Sequence, residues 1–401
     1  MKNLISGFTY FLVGGSALLV ILIIVVSFNS QMFDFDPAET ENTSKPAPAV
    51  FEEPTAEDVT DETGPDFEAP TLTPNIRPEE AELYGGGLEL PVYGSTGYAA
   101  VSTDIYDSAF DSSLASLNPG DAFLILKESG QWWQVEKNGV IGWVRHNHCM
   151  INLPDVVPSM IYNNTNAYSS VFRANDFDIP GITGEQLYAY SDRRDGKAWN
   201  ERLQRYEYIV PVLYATAKRA YQAQCNALAN GDTIVIYEAF RPSSVQAKVY
   251  REVSALAGSN ADVRKGFGSW NMSWFIAAGI SNHQVGYAID ASIAKVVNTD
   301  YASAGKYKYP KLESFEYYMP SPIHELSTQG VVYTAPGGTV FSEGMKNSES
   351  AQNLQKYFID AGFSPLPSEW WHFNDEYANS NLTKRSDGNY VITVCLSIAP
   401  N

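Results

Sequence analysis

The sequence predicts an α+β domain with an antiparallel sheet and flanking helices, preceded by a small all-β unit, a disordered acidic linker and one transmembrane helix. Three observations lead to this prediction. An uncharged apolar stretch lies near the N-terminus, an acidic proline-rich stretch follows it, and strand-like and helix-like patterns fill the rest of the 401 residues. The predicted boundaries are 1–30, 31–82, 85–155 and 156–401.

The apolar stretch near the N-terminus has the length of a membrane-spanning helix. Phe8 to Phe28 contains 21 residues and no charge, and such a helix crosses a hydrocarbon core of about 30 Å. No convincing small-residue cleavage site follows it, which favours an uncleaved anchor over a signal peptide. Lys2 precedes the stretch and acidic residues follow it. The positive-inside rule therefore predicts a single-pass membrane protein whose body faces the extracytoplasmic side.

Residues 31–82 have the composition of a disordered tether. Fourteen Asp and Glu residues lie between positions 31 and 80, where only Lys45 and Arg77 are basic. Eight prolines and few large apolar residues indicate an extended, self-repelling chain. Residues 81–401 carry −8 of the net charge of −19. An acidic body argues against nucleic-acid binding through phosphate neutralisation.

Residues 85–155 have the pattern of a small all-β unit. Asn138-Gly139 separates the apolar runs Trp132–Val135 and Val140–Val144, which is a strong signal for a two-residue hairpin. Together with Asn118-Pro119-Gly120-Asp121, these runs resemble a bacterial SH3-like domain. The resemblance implies a small barrel of a kind that often helps wall enzymes to bind or position on peptidoglycan.

The three cysteines of the chain and two histidines of the small all-β unit give weaker signals. Cys149, Cys225 and Cys395 form no C-x-x-C pair, and they fit either one disulfide with a free thiol or three buried thiols. His146 and His148 stand beside Cys149 and could suggest a metal site. We favour the interpretation that they are polar residues at the end of a last strand.

The C-terminal block, 156–401, mixes helical and strand patterns. Apolar periodicity, helix start and stop signals and strand alternation predict its elements. In chain order these are a helix at Ile209–Ala229, a strand at Thr233–Tyr237, a helix at Pro242–Gly258, a strand at Gly286–Ile293, a helix at Ser350–Ala361, and strands at Trp370–Phe373 and Tyr390–Ile398.

Two segments of this block carry residues that could bind a metal ion. His283 and Asp290 lie seven residues apart, and His372 follows three residues after Glu369. Imidazole and carboxylate are donors that zinc accepts, and a catalytic zinc ion keeps three protein ligands and one open position. Glu369 could lie beside the metal and take a proton from the attacking water. Spacing alone also fits buried histidines that only satisfy hydrogen bonds.

The two segments together resemble a known enzyme family. The first reads Ser-x-His-x-x-Gly-x-Ala-x-Asp and the second reads Glu-x-Trp-His. Over about residues 156–380 the chain is similar to zinc D-Ala-D-Ala peptidases of the VanY/VanX type. The resemblance implies that His283, Asp290 and His372 bind Zn²⁺, that Glu369 is the general base, and that the substrates are peptidoglycan stem peptides.

Three further residues gain expected roles from the same resemblance. Arg241 follows the predicted strand, where the family carries an Arg before Pro or Ser. There it would stabilise the developing oxyanion or hold a substrate carboxylate through its donor fork. Gln246 matches a Gln of the carboxypeptidase branch, and Ser281 opens the first zinc motif. Both are expected to contact the substrate, although Ser281 could also be only a turn or cap residue.

One departure from the family bears on the substrate. The segment from Met319 to Glu325 resembles a family segment in which the free-dipeptide branch has an Asp five residues after the Met. That Asp can pair with the ammonium group of the dipeptide, whereas this chain has His324 there. An imidazole is a poor partner for an ammonium group, so the departure favours a D-Ala-D-Ala carboxypeptidase acting on longer stems. A purely structural role for His324 is equally compatible with its position.

Three alternatives stand beside the carboxypeptidase. A D-Ala-D-Ala dipeptidase or an L-Ala-D-Glu endopeptidase could use the same zinc motif. A wall-binding or sensory module could carry the same fold without activity. The complete ligand set and the base Glu369 argue against the inactive module, because a degenerate site would be expected to lose one of them.

Overall fold

Two β-sheets contain most of the strands in the computed structural model. Every described residue belongs to the same unit, Phe67–Asn401. The predicted membrane stretch, the predicted linker and Cys395 lie outside the described residues. The structure describes residues 87–163, 197–241, 243–384 and 390–392.

The strands are short except for one long hairpin. They are β1 (Thr96–Ala99), β2 (Thr103–Tyr106), β3 (Ser113–Leu117), β4 (Ala122–Ser129), β5 (Trp132–Lys137), β6 (Val140–Arg145), β7 (Cys149–Asn152), β8 (Ile161–Tyr162), β9 (Ala198–Asn200), β10 (Arg205–Glu207), β11 (Pro211–Leu213), β12 (Asp232–Glu238), β13 (Ala288–Ala304), β14 (Tyr307–Glu316), β15 (Phe363–Leu366), β16 (Glu369–Asp375), β17 (Leu382–Lys384) and β18 (Tyr390–Ile392). The long hairpin is formed by β13 and β14.

Among the helices of the described residues, three exceed two turns, and the others are single turns or little more. The α-helices are α1 (Leu153–Val156), α2 (Tyr214–Leu228), α3 (Ser243–Ser259), α4 (Ala261–Gly266), α5 (Asn282–Val285), α6 (Glu343–Lys346), α7 (Glu349–Asp360) and α8 (Glu376–Asn381). Short 3-10 turns lie at His146–His148 and Met272–Trp274.

The predicted fold class requires two corrections. It included a transmembrane helix, and among the described residues no helix is long and apolar enough to cross a membrane. It also specified an antiparallel sheet, whereas β8 lies parallel to β12. The described chain is a sheet-rich α+β domain of mixed strand direction with few helices.

The first sheet has the order β11-β7-β1-β4-β5-β6-β2-β3. The hairpin predicted at Asn138-Gly139 is confirmed, with Lys137 opposite Val140. Asn138 and Gly139 have φ values of 52° and 81°, as a type I′ turn requires. Alternate residues of β5, such as Trp133, point into the core and are buried because side chains alternate between the faces of a strand.

The helix predicted at Ile209–Ala229 divides into a strand and a shorter helix. Pro211–Leu213 pairs with β7 at the edge of the first sheet, and α2 begins only at Tyr214. Proline has no N–H to donate, so it fits the start of an edge strand better than a helix interior. Through this pairing, chain segments on both sides of residue 156 share one sheet.

The second sheet brings distant segments of the chain together. Its order is β15-β16-β13-β12-β8, and β14 pairs with β13. The register places Asp290 of β13 opposite His372 of β16 and opposite Glu238 of β12. Helix α2 contacts β12 and α7, and α7 contacts β13 and β16. Phe358 of α7 stacks on Phe373 of β16 with ring centroids 4.1 Å apart, which fixes the helix over the sheet.

The turn glycine of the first sheet provides a test of the fold. Gly139→Ala should destabilise the protein by roughly 1–2 kcal/mol, because an L-residue is disfavoured in the left-handed region. A Cβ at Gly139 would meet no atom within 4 Å, so the effect is conformational. Denaturation by urea, followed by intrinsic fluorescence, measures it.

Gly258 supplies the matched control. It lies in α3, and a Cβ there also meets no atom within 4 Å. Gly258→Ala should therefore be neutral or stabilise the protein by up to about 1 kcal/mol. A Gly139→Ala variant as stable as the parent protein would contradict the turn geometry.

Candidate metal centre

Local sequence features position His283 and Asp290. The Ser281 side chain accepts a hydrogen bond from the amide of His283 at 3.3 Å and so caps α5. Gly286 ends this helix with φ of 82°, a left-handed conformation that favours glycine. A Cβ there would lie 2.7 Å from Cε of Met150. The chain then enters β13, which carries Asp290.

His283, Asp290 and His372 meet in a small triangle of donor atoms. His283 Nε2 lies 3.0 Å from His372 Nδ1 and 3.2 Å from Asp290 Oδ1. His372 Nδ1 lies 3.0 Å from the same oxygen. All three side chains are buried, and their atoms are close enough to hold a metal ion.

The remaining ring nitrogens of both histidines are held by other groups. His283 Nδ1 lies 2.7 Å from the carbonyl oxygen of Ala239. His372 Nε2 lies 3.0 Å from Oδ1 of Asn374, which also accepts from Asn282 at 2.8 Å. These oxygens accept, so the outer nitrogens carry the hydrogens. The inner nitrogens therefore present lone pairs to the triangle, as metal ligands must.

The charge states of these groups also suit metal binding. Burial acts to raise the pKa of Asp290, but its electrostatic interaction with His283 and its contacts with the rings of His324 and His372 oppose this effect. The pKa of Asp290 therefore lies well below its usual value. Burial lowers the pKa of His372. A carboxylate and a neutral imidazole are the forms that bind a metal.

Glu369 lies beside the triangle. Its Oε2 is 3.6 Å from Nδ1 of His372. Burial and the negative charge of Asp290 raise the pKa of Glu369 well above its usual value. A carboxyl group beside the donor triangle can accept and return a proton.

Arg241 is held in place by two side chains. Its Nε donates to Oε1 of Glu238 at 2.9 Å, and its Nη2 donates to the other oxygen of that carboxylate. Its Nη1 donates to Oε1 of Gln246 at 2.6 Å, and the Gln246 amide donates to the carbonyl of Ala277 at 2.8 Å. Arg241 is only 1% exposed. The guanidinium is therefore a fixed positive charge, and Gln246 helps to fix it.

A narrow cleft of about 140 Å³ opens onto these groups. Six of the eight predicted site residues line it, together with apolar side chains that include Trp274 and Phe275. The six are Arg241, Gln246, Ser281, His283, Glu369 and His372. A larger cavity of about 720 Å³ lies beside Asp232, at the opposite end of β12, and none of the predicted residues line it.

His324 lies close to the donor triangle but does not line the cleft. It is 2% exposed, and it is absent from the residues that line the cleft. Its Nε2 instead lies 3.2 Å from Oδ2 of Asp290. Its position therefore gives no support to the predicted contact with substrate.

Sequence reasoning assigned no role to Glu238, Asn282 or Asn374. Asn374 follows His372 by two residues in a strand, and such residues share one face, so alternation could have indicated it. Glu238 precedes Arg241 by three residues across an irregular segment, and no periodic pattern connects them. Asn282 reaches Asn374 only through the tertiary fold.

No family model and no curated protein matches the chain. The chemistry of the cleft is thus argued from its donors. Two imidazoles and a carboxylate can bind a divalent metal, a buried carboxyl group can move a proton, and a fixed guanidinium can stabilise an anion.

The donor triangle predicts metal binding that one substitution removes. The protein should bind one divalent ion per chain, and His372→Ala should lose it, because two ligands hold a divalent ion poorly. Equilibrium dialysis followed by elemental analysis measures the stoichiometry. His148→Ala is the control, since His148 is half-buried and lies outside the cluster. A His372→Ala protein with full metal content would contradict this assignment.

Proposed function

We propose that the protein is a zinc-dependent peptidoglycan peptidase that removes the terminal D-alanine from stem peptides. The observation that carries the proposal is the buried triangle of His283, Asp290 and His372 with Glu369 beside it. The motifs around these residues resemble those of VanY/VanX-type D-Ala-D-Ala peptidases. Such a substrate lies on the outer side of the cytoplasmic membrane, where we place the activity.

Zinc fits the donor set in type and spacing. A tetrahedral zinc ion with bonds of about 2.0–2.1 Å separates its ligand atoms by about 3.3–3.4 Å. The corresponding atoms of the triangle lie 3.0–3.2 Å apart, so only a small expansion is needed. Two nitrogen donors argue against calcium and magnesium, which take oxygen ligands. A bound zinc ion would supply Lewis acidity and lower the pKa of water at its open position.

Glu369 is the group that we assign to proton transfer. Its carboxylate would accept a proton from the attacking water and return it to the leaving amine. Its raised pKa falls when positive charge is added beside it, because a nearby cation favours the carboxylate. The residue can therefore act as a base when the centre is loaded.

Arg241 supplies fixed positive charge to the same cleft. Because Glu238 and Gln246 already hold its guanidinium, it needs little reorganisation when negative charge develops on the substrate. It would stabilise the oxyanion or bind the terminal carboxylate of the stem. The small volume of the cleft, about 140 Å³, is suited to the end of a chain, which favours a carboxypeptidase.

The scarcity of acidic side chains along the described cleft favours a long stem over a free dipeptide. Among the described residues that line the cleft, Glu369 is the only acidic one, and we assign it to proton transfer. His324 lies behind Asp290 and not in the cleft. The described cleft thus offers no second carboxylate for the ammonium group of a dipeptide, whereas a longer stem carries no charge there.

Defined muropeptides test the reaction. The zinc-loaded protein incubated with a disaccharide pentapeptide should release one alanine, detected as the corresponding mass loss. Cleavage between L-Ala and D-Glu would instead identify an endopeptidase. Turnover of free D-Ala-D-Ala alone would identify a dipeptidase, and no product from any substrate would favour a binding module.

Glu369→Ala tests the assignment of the base. The variant should keep its metal content and lose about 10²–10⁴-fold in turnover, the usual contribution of a general base. Glu343→Ala is the matched control, because Glu343 is exposed and forms an exposed ion pair with Lys346, away from the cleft. Turnover of Glu369→Ala within a few-fold of the parent protein would refute its role.

A further inference from the structure

We propose that His324 is a positioning residue of the metal centre, which holds one oxygen of Asp290 so that the other faces the two ligand histidines. This inference rests on the metal-binding part of the proposed function and is independent of the substrate. It replaces the predicted contact with substrate, because His324 does not line the cleft.

The two oxygens of Asp290 have separate partners. Oδ1 faces His283 Nε2 at 3.2 Å and His372 Nδ1 at 3.0 Å, whereas Oδ2 faces His324 Nε2 at 3.2 Å. An ionised carboxylate only accepts hydrogen bonds, so Nε2 of His324 carries the hydrogen. With Oδ2 engaged in this way, Asp290 can ligate through Oδ1 alone, which leaves room for the open position of a catalytic metal.

The backbone of His324 is strained, and its ring is fixed by packing. Its φ is 61°, a left-handed conformation that is uncommon for residues other than glycine and that persists where the surroundings enforce it. The ring lies edge-on to Trp371 and Tyr237, with centroids 5.7 Å and 6.3 Å away. Trp371 adjoins the ligand His372, so the same strand fixes the ligand and the ring behind Asp290.

A second metal ion is the main competing explanation. Glu238, Asp290 and His324 also bring ligand atoms close enough to hold an ion. However, both oxygens of Glu238 accept hydrogen bonds from Arg241, and both side chains are buried. A second cation would have to compete with the buried guanidinium of Arg241 for Glu238, and it would lie close to the positive charge of that group. The geometry therefore favours a hydrogen bond from His324 and one metal per chain.

Two substitutions of equal length separate the hydrogen bond from the volume of the side chain. His324→Gln keeps an N–H donor at the same number of bonds from Cα, and His324→Met places a methyl group there. Metal affinity is measured in the full chain by competition between the protein and a chelator for Zn²⁺. Loss of an outer hydrogen-bond partner weakens metal binding about 10–100-fold. We expect this loss for Met, and affinity close to that of the parent protein for Gln.

A third substitution separates positioning from stability. His324→Asn suits the left-handed backbone, but its amide is too short to reach Asp290. It should preserve or raise the melting temperature of the metal-free protein while weakening metal binding as Met does. This variant also keeps the test decisive if the Met protein does not fold. The Co²⁺ absorption spectrum at saturation should change for Asn and remain as in the parent protein for Gln.

Two results would overturn the proposal. One is equal metal affinity in the Gln and Asn variants, which would show that the donor does not matter. The other is a parent protein that binds two ions per chain and loses one in His324→Asn, which would assign His324 as a ligand. No peptide substrate enters these measurements, so they stand whether or not the protein proves to be a peptidase.

Discussion

Strand register in the second sheet is the constraint on which the metal centre depends. β13 pairs with β16 on one side and with β12 on the other, so Asp290 lies opposite both His372 and Glu238. A slip of one residue would turn these side chains to the other face of the sheet. Helix α5 then needs only its Ser281 cap and Gly286 stop to bring His283 to the same point.

Buried charge is the second constraint, and it follows from the first. The register gathers Asp290, Glu238 and Glu369 in one buried region, with Arg241 as the compensating cation. Burial and the charge of Asp290 therefore raise the pKa of Glu369. Once Glu369 is ionised, Arg241 leaves two of the three carboxylates uncompensated, and a divalent cation in the triangle would balance them. The same ion would return Glu369 to its carboxylate form, which a base requires.

Much of the site could be predicted from local sequence, and some of it could not. The prediction of the triangle of His283, Asp290 and His372 rested on the family resemblance of two motifs, because their spacing alone also fits buried histidines. The hairpin at Asn138-Gly139 follows from turn chemistry. The helix predicted at Ile209–Ala229 began too early, because the apolar residues around Pro211 suit a buried edge strand as well as a helix.

The parts that sequence missed depend on tertiary pairing. The role of His324 depends on which oxygen of Asp290 faces it, and that of Gln246 depends on the guanidinium it meets. The outer half of β13 was also missed. Much of it is exposed, and the buried pattern that predicts a strand is weak there.

The central claim is that two imidazoles and one carboxylate of this cluster hold the metal. X-ray absorption spectroscopy of the zinc-loaded protein tests it directly. The account predicts nitrogen and oxygen neighbours at about 2.0–2.1 Å with scattering from two imidazole rings. A shell of sulfur neighbours at about 2.3 Å, or oxygen neighbours without imidazole scattering, would contradict it.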